Sequence, residues 1–154
     1  TIKPLQNKGI PLLVKSFIHP ENKGTIVGTK NSASLPPIRV VKEDQCLLTF
    51  HTKNFSFIAE EVISDLLSAF AAANFKMNMM QNGAISFQAC VDNIPEKIAK
   101  VKKAIEHEFD IDQKENLTLL TIRHYNEEVI ASHKMNKKAI IEQKRHTTWQ
   151  GLLE

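Results

Sequence analysis

The chain is predicted to be an α+β protein built on a ferredoxin-like βαββαβ unit, followed by a second, shorter copy of the same pattern. Three observations carry this prediction. Residues 75–79 and 85–91 alternate apolar and polar side chains and are joined by Asn82-Gly83, which reads as a hairpin. Residues 58–73 and 95–109 each carry apolar residues at offsets of three and four, the stripe of an amphipathic helix. These segments alternate in the order strand, helix, strand, strand, helix, strand, which is the split βαβ arrangement.

The elements follow in chain order. Ile10 to Phe17 reads as a buried strand, entered directly from Thr1-Ile2-Lys3-Pro4. His19-Pro20-Glu21-Asn22 turns the chain, and Gly24-Thr25 opens another strand. Asn31-Ser32-Ala33-Ser34-Leu35-Pro36-Pro37 is a polar linker ending in two prolines. Cys46 to His51 is an apolar strand turned by Thr52-Lys53-Asn54. The first helix presents Ile58, Val62, Ile63, Leu66, Leu67 and Phe70 on one face, with Asn74 as its stop. Met77 and Met79 are expected on the inward face of the next strand, with Asn78 and Met80 turned the other way. Asp92 or Asn93 is expected to cap the second helix, which has Pro95 in its first turn and Ile98, Val101, Ala104, Ile105 and Phe109 along its stripe. Residues 117–125 are strand-like. A weak helix over 127–135 and strands over 139–144 and 147–153 then restart the pattern, without its last helix and strand. Such a truncated unit should complete its sheet against the first unit or another subunit. The first unit's sheet has helices on one face only, which leaves the other face free to pair. Trp149, the sole tryptophan, is read as packing in the completing strand.

Composition excludes several classes. With 42% hydrophobic and 24% charged residues over 154 positions, the chain can bury a core. No apolar run approaches a membrane span of roughly 20 residues. A net charge of +3 is mild, and the basic residues are spread, with some clustering over 134–145. An RNA-recognition module shares the fold but needs aromatics on the sheet surface. The matching strand here, residues 85–91, has only Phe87, placed on the core side by alternation. Cys46 and Cys90 have no metal-spaced partner and read as buried reduced thiols of a cytoplasmic protein.

No catalytic constellation is legible. There is no phosphate-cradling glycine loop, no H-E-x-x-H among the six histidines, and no glycine elbow around Ser56 or Ser86. No catalytic or metal site is assigned. A site for a small zwitterion is better supported, because an amino acid needs donors for its carboxylate and acceptors for its ammonium. Free amides at Phe57 and Ile58, entering the first helix, supply donors. Asn78, Gln81 and Asn82 on the following strand supply acceptors.

The opening segment carries a family resemblance. Thr1-Ile2-x-Pro4, Ile10-Pro11-x-x-Val14-Lys15 and Pro20-x-x-x-Gly24-Thr25-x-Val27 resemble the last segment of the aspartate kinase catalytic domain, which in that family passes into a pair of regulatory ACT domains. The resemblance implies that residues 1–30 are the tail of the kinase domain and 31–37 a linker. It makes 38–116 a first ACT domain and 117–154 a second, short, interleaved ACT unit. The chain would be the back end of a larger enzyme that phosphorylates aspartate with Mg-ATP, with the phosphate-binding parts upstream and no cofactor or kinase activity in this fragment. The implied partners are a second copy of the chain through the ACT units, its own kinase domain, and an amino-acid effector, lysine or threonine. No nucleic acid or membrane is implied. The effector positions that match the family pattern are Phe55, Ser56, Phe57, Ile58, Met77, Asn78, Gln81 and Asn82. Lysine-sensitive members often carry an acid at the place of Asn78 and a Ser-Glu pair near Gly83-Ala84; both are absent. A purely structural dimerisation module is the alternative reading, and whether the parent continues into a homoserine dehydrogenase stays open.

Overall fold

A computed structural model describes residues 2–28, 35–53, 60–134 and 137–154. It divides into two compact units, residues 1–36 and 37–154.

The first unit opens on a short helix, α1 (Lys3–Asn7), with Pro4 in its first turn. It ends at Gly9, whose φ of 66° suits glycine. Strands β1 (Leu12–Val14) and β2 (Thr25–Val27) pair antiparallel, Leu12 opposite Val27 and Val14 opposite Thr25. Gly24 has a φ of 70°, and a Cβ there would strike the Val14 carbonyl, so the strands approach this closely only over glycine. Two expectations are corrected. A helix, not a direct entry into a strand, follows Ile2, because Pro4 starts a helical turn. The strand of residues 10–17 is three residues long and exposed; Leu13 and Val14 are half exposed and Phe17 wholly so. A two-stranded ladder has no second layer to bury its side chains.

The second unit holds one six-stranded sheet. Its elements are β3 (Ile38–Thr52), α2 (Glu60–Ala72), β4 (Met77–Asn82), β5 (Ser86–Asp92), α3 (Pro95–Ile105), β6 (Phe109–Arg123), α4 (Glu127–Lys134), β7 (Ala139–Arg145) and β8 (Thr148–Leu153). The strand order is β4-β5-β3-β6-β8-β7. The first four strands, with α2 and α3, make the expected ferredoxin-like unit. Beyond them, the second half of β6 is flanked by β8 on one side and by residues 38–42 of β3 on the other. With α4 and β7 this repeats the strand order of the first unit. The long strands β3 and β6 therefore serve both halves. Their joint is a pair of bulges, where Asp44 (φ 51°) and Asn116 (φ 58°) take the left-handed backbone that Asp and Asn tolerate best.

Phe50 centres the main core, between β3, β5 and the helices. Its ring lies 6.0 Å from Phe70 and Phe109, edge-on to both, and 6.3 Å from Phe87. Leu66 and Phe70 of α2 and Ile98, Val101 and Ile105 of α3 close this layer. Asn74 (φ 46°) ends α2, as its position predicted, and Phe75 N–H returns to the Phe70 carbonyl. Under α4, Leu120, Ile122, Ile130, Trp149 and Leu153 form a second core, with Trp149 fully buried in the completing strand. Asn126 caps α4, its Oδ1 accepting from Val129 N–H at 2.7 Å.

The opposite sheet face is not left free. Leu47, Met79, Cys90 and Leu117 pack there against Ile141 and Leu152, so β4 and β7, the two ends of the strand order, meet in one cluster. Gln143 of β7 donates to the Met80 carbonyl of β4 at 2.6 Å. The sheet is rolled so that its second half covers the face its helices leave bare.

Three local readings are corrected. Neither Asp92 nor Asn93 caps α3: the N-cap is Ile94, without a side-chain bond, while Asn93 is held by Asp44 through its backbone N–H and its Nδ2, each at 3.0 Å. The Asn82-Gly83 hairpin forms, but through a three-residue loop closed by Gly83 N–H to the Ser86 carbonyl at 2.8 Å; Gly83 is not among the residues with positive φ. Met77 and Met79 do not share a face. The register steps from Met77–Val91 to Met79–Cys90, a bulge at Asn78. Met77 packs toward the helices and Met79 toward the rolled-over half.

Candidate functional site

The predicted effector positions fall into three places. Phe55, Ser56, Phe57 and Ile58 lie outside the described residues; they join Thr52, the end of β3, to Glu60, the start of α2. Gln81 and Asn82 are exposed on β4, an end strand of the sheet order, and Asn82 sits opposite Phe87, which sits opposite Phe50. They therefore lie at the same end of the sheet as the β3–α2 connection. Glu60 and Glu61 occupy the first described turn of α2, where they complement the helix dipole and compete with any incoming carboxylate. Met77 is half-buried against the helix-side core and serves packing.

Asn78 lies about 10 Å along the strand from Gln81, at the other end of the sheet. There it joins a polar cluster on the face turned away from α2 and α3. Lys42 Nζ donates to Asp92 Oδ1 at 2.7 Å and to Asn78 Oδ1 at 3.0 Å. Gln45 Nε2 donates to Asp92 Oδ1 at 3.0 Å, and Asn78 Nδ2 to the same oxygen at 2.8 Å. Asn78 Nδ2 also donates to Gln45 Oε1 at 2.8 Å, and the Cys90 thiol lies 3.6 Å from that oxygen. Gln45 is only 1% exposed, so its amide must be satisfied from within, and these bonds with the Glu43 carbonyl at 3.0 Å do so. The Asp92 carboxyl is held down to about 2, chiefly by the Lys42 hydrogen bond, then by Gln45, with burial opposing and Asn78 adding.

Sequence reasoning reached Asn78 but missed Lys42, Gln45 and Asp92. Two signals were present. Gln45 is a polar residue heading a strand that continues Cys46-Leu47-Leu48, and Asp92 ends a cleanly alternating strand. Their meeting needs the bulges at Asp44 and Asn78, which no periodicity announces. Burial also holds the Cys46 thiol up at about 11 and the Cys90 thiol at about 12. Among the described residues no group of His, Cys, Asp and Glu is placed to hold a metal, and no helix is long and apolar enough to cross a membrane.

No protein-family model and no curated protein matches the chain. Solved structures do. The aspartate kinase of Clostridium acetobutylicum, described as an allosteric enzyme, is 15% identical with a TM-score of 0.79, over 99% of this chain and 40% of that one. Aspartokinase III of E. coli, in complex with lysine and aspartate, is 16% identical with a TM-score of 0.70, over 98% of this chain and 37% of that one. The regulatory subunit of aspartate kinase from Thermus thermophilus, in its ligand-free form, is 8% identical with a TM-score of 0.57, over 75% of this chain and 85% of that one. The chain thus spans about two-fifths of the full-length kinases and most of the length of the separate regulatory subunit. At these identities the likeness is one of fold, and the fold of this chain is that of the regulatory region of aspartate kinases.

Proposed function

We propose that the chain is the regulatory C-terminal region of an aspartate kinase, that it senses an end-product amino acid, lysine or threonine, and that it mediates dimerisation. The observation that carries this reading is the extent of the match. The small unit of residues 1–36 and the interleaved double unit after it are together covered, in one alignment, by full-length aspartate kinases. On this reading residues 1–30 are the tail of the kinase domain and 31–37 the linker. Residues 38–116 and 117–154 are the two ACT units, sharing β3 and β6. The parent is a cytoplasmic enzyme that phosphorylates aspartate with Mg-ATP, and this fragment has no catalysis of its own. The effector lies between paired copies, at the β3–α2 connection and the exposed β4 residues Gln81 and Asn82. Its binding shifts the kinase domains between two arrangements, a coupling that is reciprocal for binding.

Calorimetric titration of lysine, threonine and methionine into this chain, and into the intact kinase, tests the reading. Heat and feedback inhibition with one of them supports it. No heat and no effect on the intact kinase from any of the three overturns the sensing part. One observation favours a second reading, a dimerisation module that senses nothing: Asn78, a predicted ligand contact, is already spent on the chain's own side chains. A dimer that persists unchanged with and without amino acids would be its signature.

A further inference from the structure

The polar cluster around Asp92 has a property that a surface ion pair lacks. An isolated Lys–Asp pair is two flexible chains meeting in water, and holding them together costs most of what the contact contributes. Here the two acceptors are also tied to a buried amide. Gln45, buried at 1% exposure, fixes Asp92 through its Nε2 and fixes Asn78 through its Oε1. Both amide hydrogens of Asn78 are committed, one to Gln45 Oε1 and one to Asp92 Oδ1. Its Oδ1 is thereby turned toward Lys42. A carboxylate oxygen and an amide oxygen converge on one point, and the Lys42 ammonium occupies it at 2.7 and 3.0 Å. Lys42 comes from the far side of the Asp44 bulge, in the half of β3 that pairs with residues 119–123 of β6, whereas the acceptors belong to β4, β5 and the other half of β3. The donor and its acceptors thus come from the two halves of the rolled sheet.

We propose that Asp92, Asn78 and Gln45 form a binding site for a primary ammonium group, and that Lys42 fills it from within the chain and shuts external ammonium ions out.

Chemical rescue tests the site. Lys42→Ala in the 154-residue chain removes the three carbons and the ammonium beyond Cβ, which n-propylammonium supplies. The variant should melt lower than the wild type. At tens to hundreds of millimolar, n-propylammonium chloride should raise its Tm, by no more than the fall that Lys42→Ala causes, against an equal concentration of tetramethylammonium chloride. The wild type should not respond, and Lys42→Ala/Asp92→Asn should lose the response. Equal responses to the two salts, or the same propylammonium response in the wild type, would overturn the site. If Lys42→Ala melts too poorly to follow, the Asp92 carboxyl titration read by NMR replaces Tm: removal of Lys42 should move it up, and propylammonium should return it.

Discussion

Gly151→Ala should destabilise the second unit by about 2–4 kcal/mol, although it adds a single methyl group. Gly151 sits between two ladders, opposite Leu120 on β6 and Glu142 on β7. The six-membered ring of the Trp149 indole, two residues away on the same face, reaches over it. An ideal Cβ at 151 would stand 2.6 Å from Cζ2 and 3.1 Å from Cζ3 of that ring, and nearer still to Cη2. Carbon atoms in contact prefer about 3.5–4.0 Å, so the overlap is roughly 1 Å. The backbone cannot yield that much without loosening both ladders. The ring is no freer. It is fully buried against Leu120, Ile122, Ile130 and Leu153, its Nε1 donates to Glu142 Oε2 at 3.3 Å, and the Lys134 ammonium lies 5.3 Å above it. Overpacking of this kind costs about 1–3 kcal/mol, and full ejection of a buried aromatic about 3–5 kcal/mol, so the estimate falls between them. Trp149 is the only tryptophan, so its emission reports this site directly. Urea unfolding followed by emission and by far-UV circular dichroism should show a lower midpoint and red-shifted native emission. Trp149→Leu in the Gly151→Ala background should return part of the loss, giving a coupling of at least about 1 kcal/mol. A Gly151→Ala variant within about 0.5 kcal/mol of the wild type, with unchanged emission, would refute the reasoning.

Asp92 should titrate near 2 by carboxyl NMR; because its folded value is depressed, its stabilisation is present above the ordinary carboxylate value near 4 and is lost as pH falls from 4 toward 2. The pair is half exposed, with side-chain exposures of 43% for Lys42 and 46% for Asp92, so solvent screening limits the contribution to about 1 kcal/mol, and Lys42→Ala should flatten the acid limb of the stability curve by about that much. Cys46 and Cys90, buried and held near 11 and 12, should resist thiol reagents at pH 8 in the native state and react together in urea; fast labelling of either in native buffer would contradict the packing of β3 and β5.

The fold was legible because most of its elements are determined by short-range pattern. Offsets of three and four in 58–73 and 95–109, alternation in 85–91, and the Asn74 stop each act within a few residues, and the structure places helices over 60–72 and 95–105 and a strand over 86–92, with Phe109 opening β6 instead of ending the helix. The truncated second half also announced that it needs a partner sheet, since strands cannot leave their backbone groups unpaired. The candidate site was half legible. Gln81 and Asn82 were found as polar residues on a strand beside a turn, and they do lie at the end of the sheet where β3 passes toward α2.

What the sequence determined by itself is the set of elements, their order and which stripe of each is apolar. Only the tertiary structure decided how the two halves share strands. The bulges at Asp44, Asn78 and Asn116 each cost one residue of register, and a shift of one residue reverses which face every later side chain points to. That shift sends Met79 away from Met77 and brings Lys42 onto Asp92, whose partner in sequence is 50 residues distant. Periodicity is a local property, and it cannot count a residue that the ladder skips. The long-range pairing of β3 with β6 makes that choice, because only one register buries Leu47, Leu117 and Leu119 together.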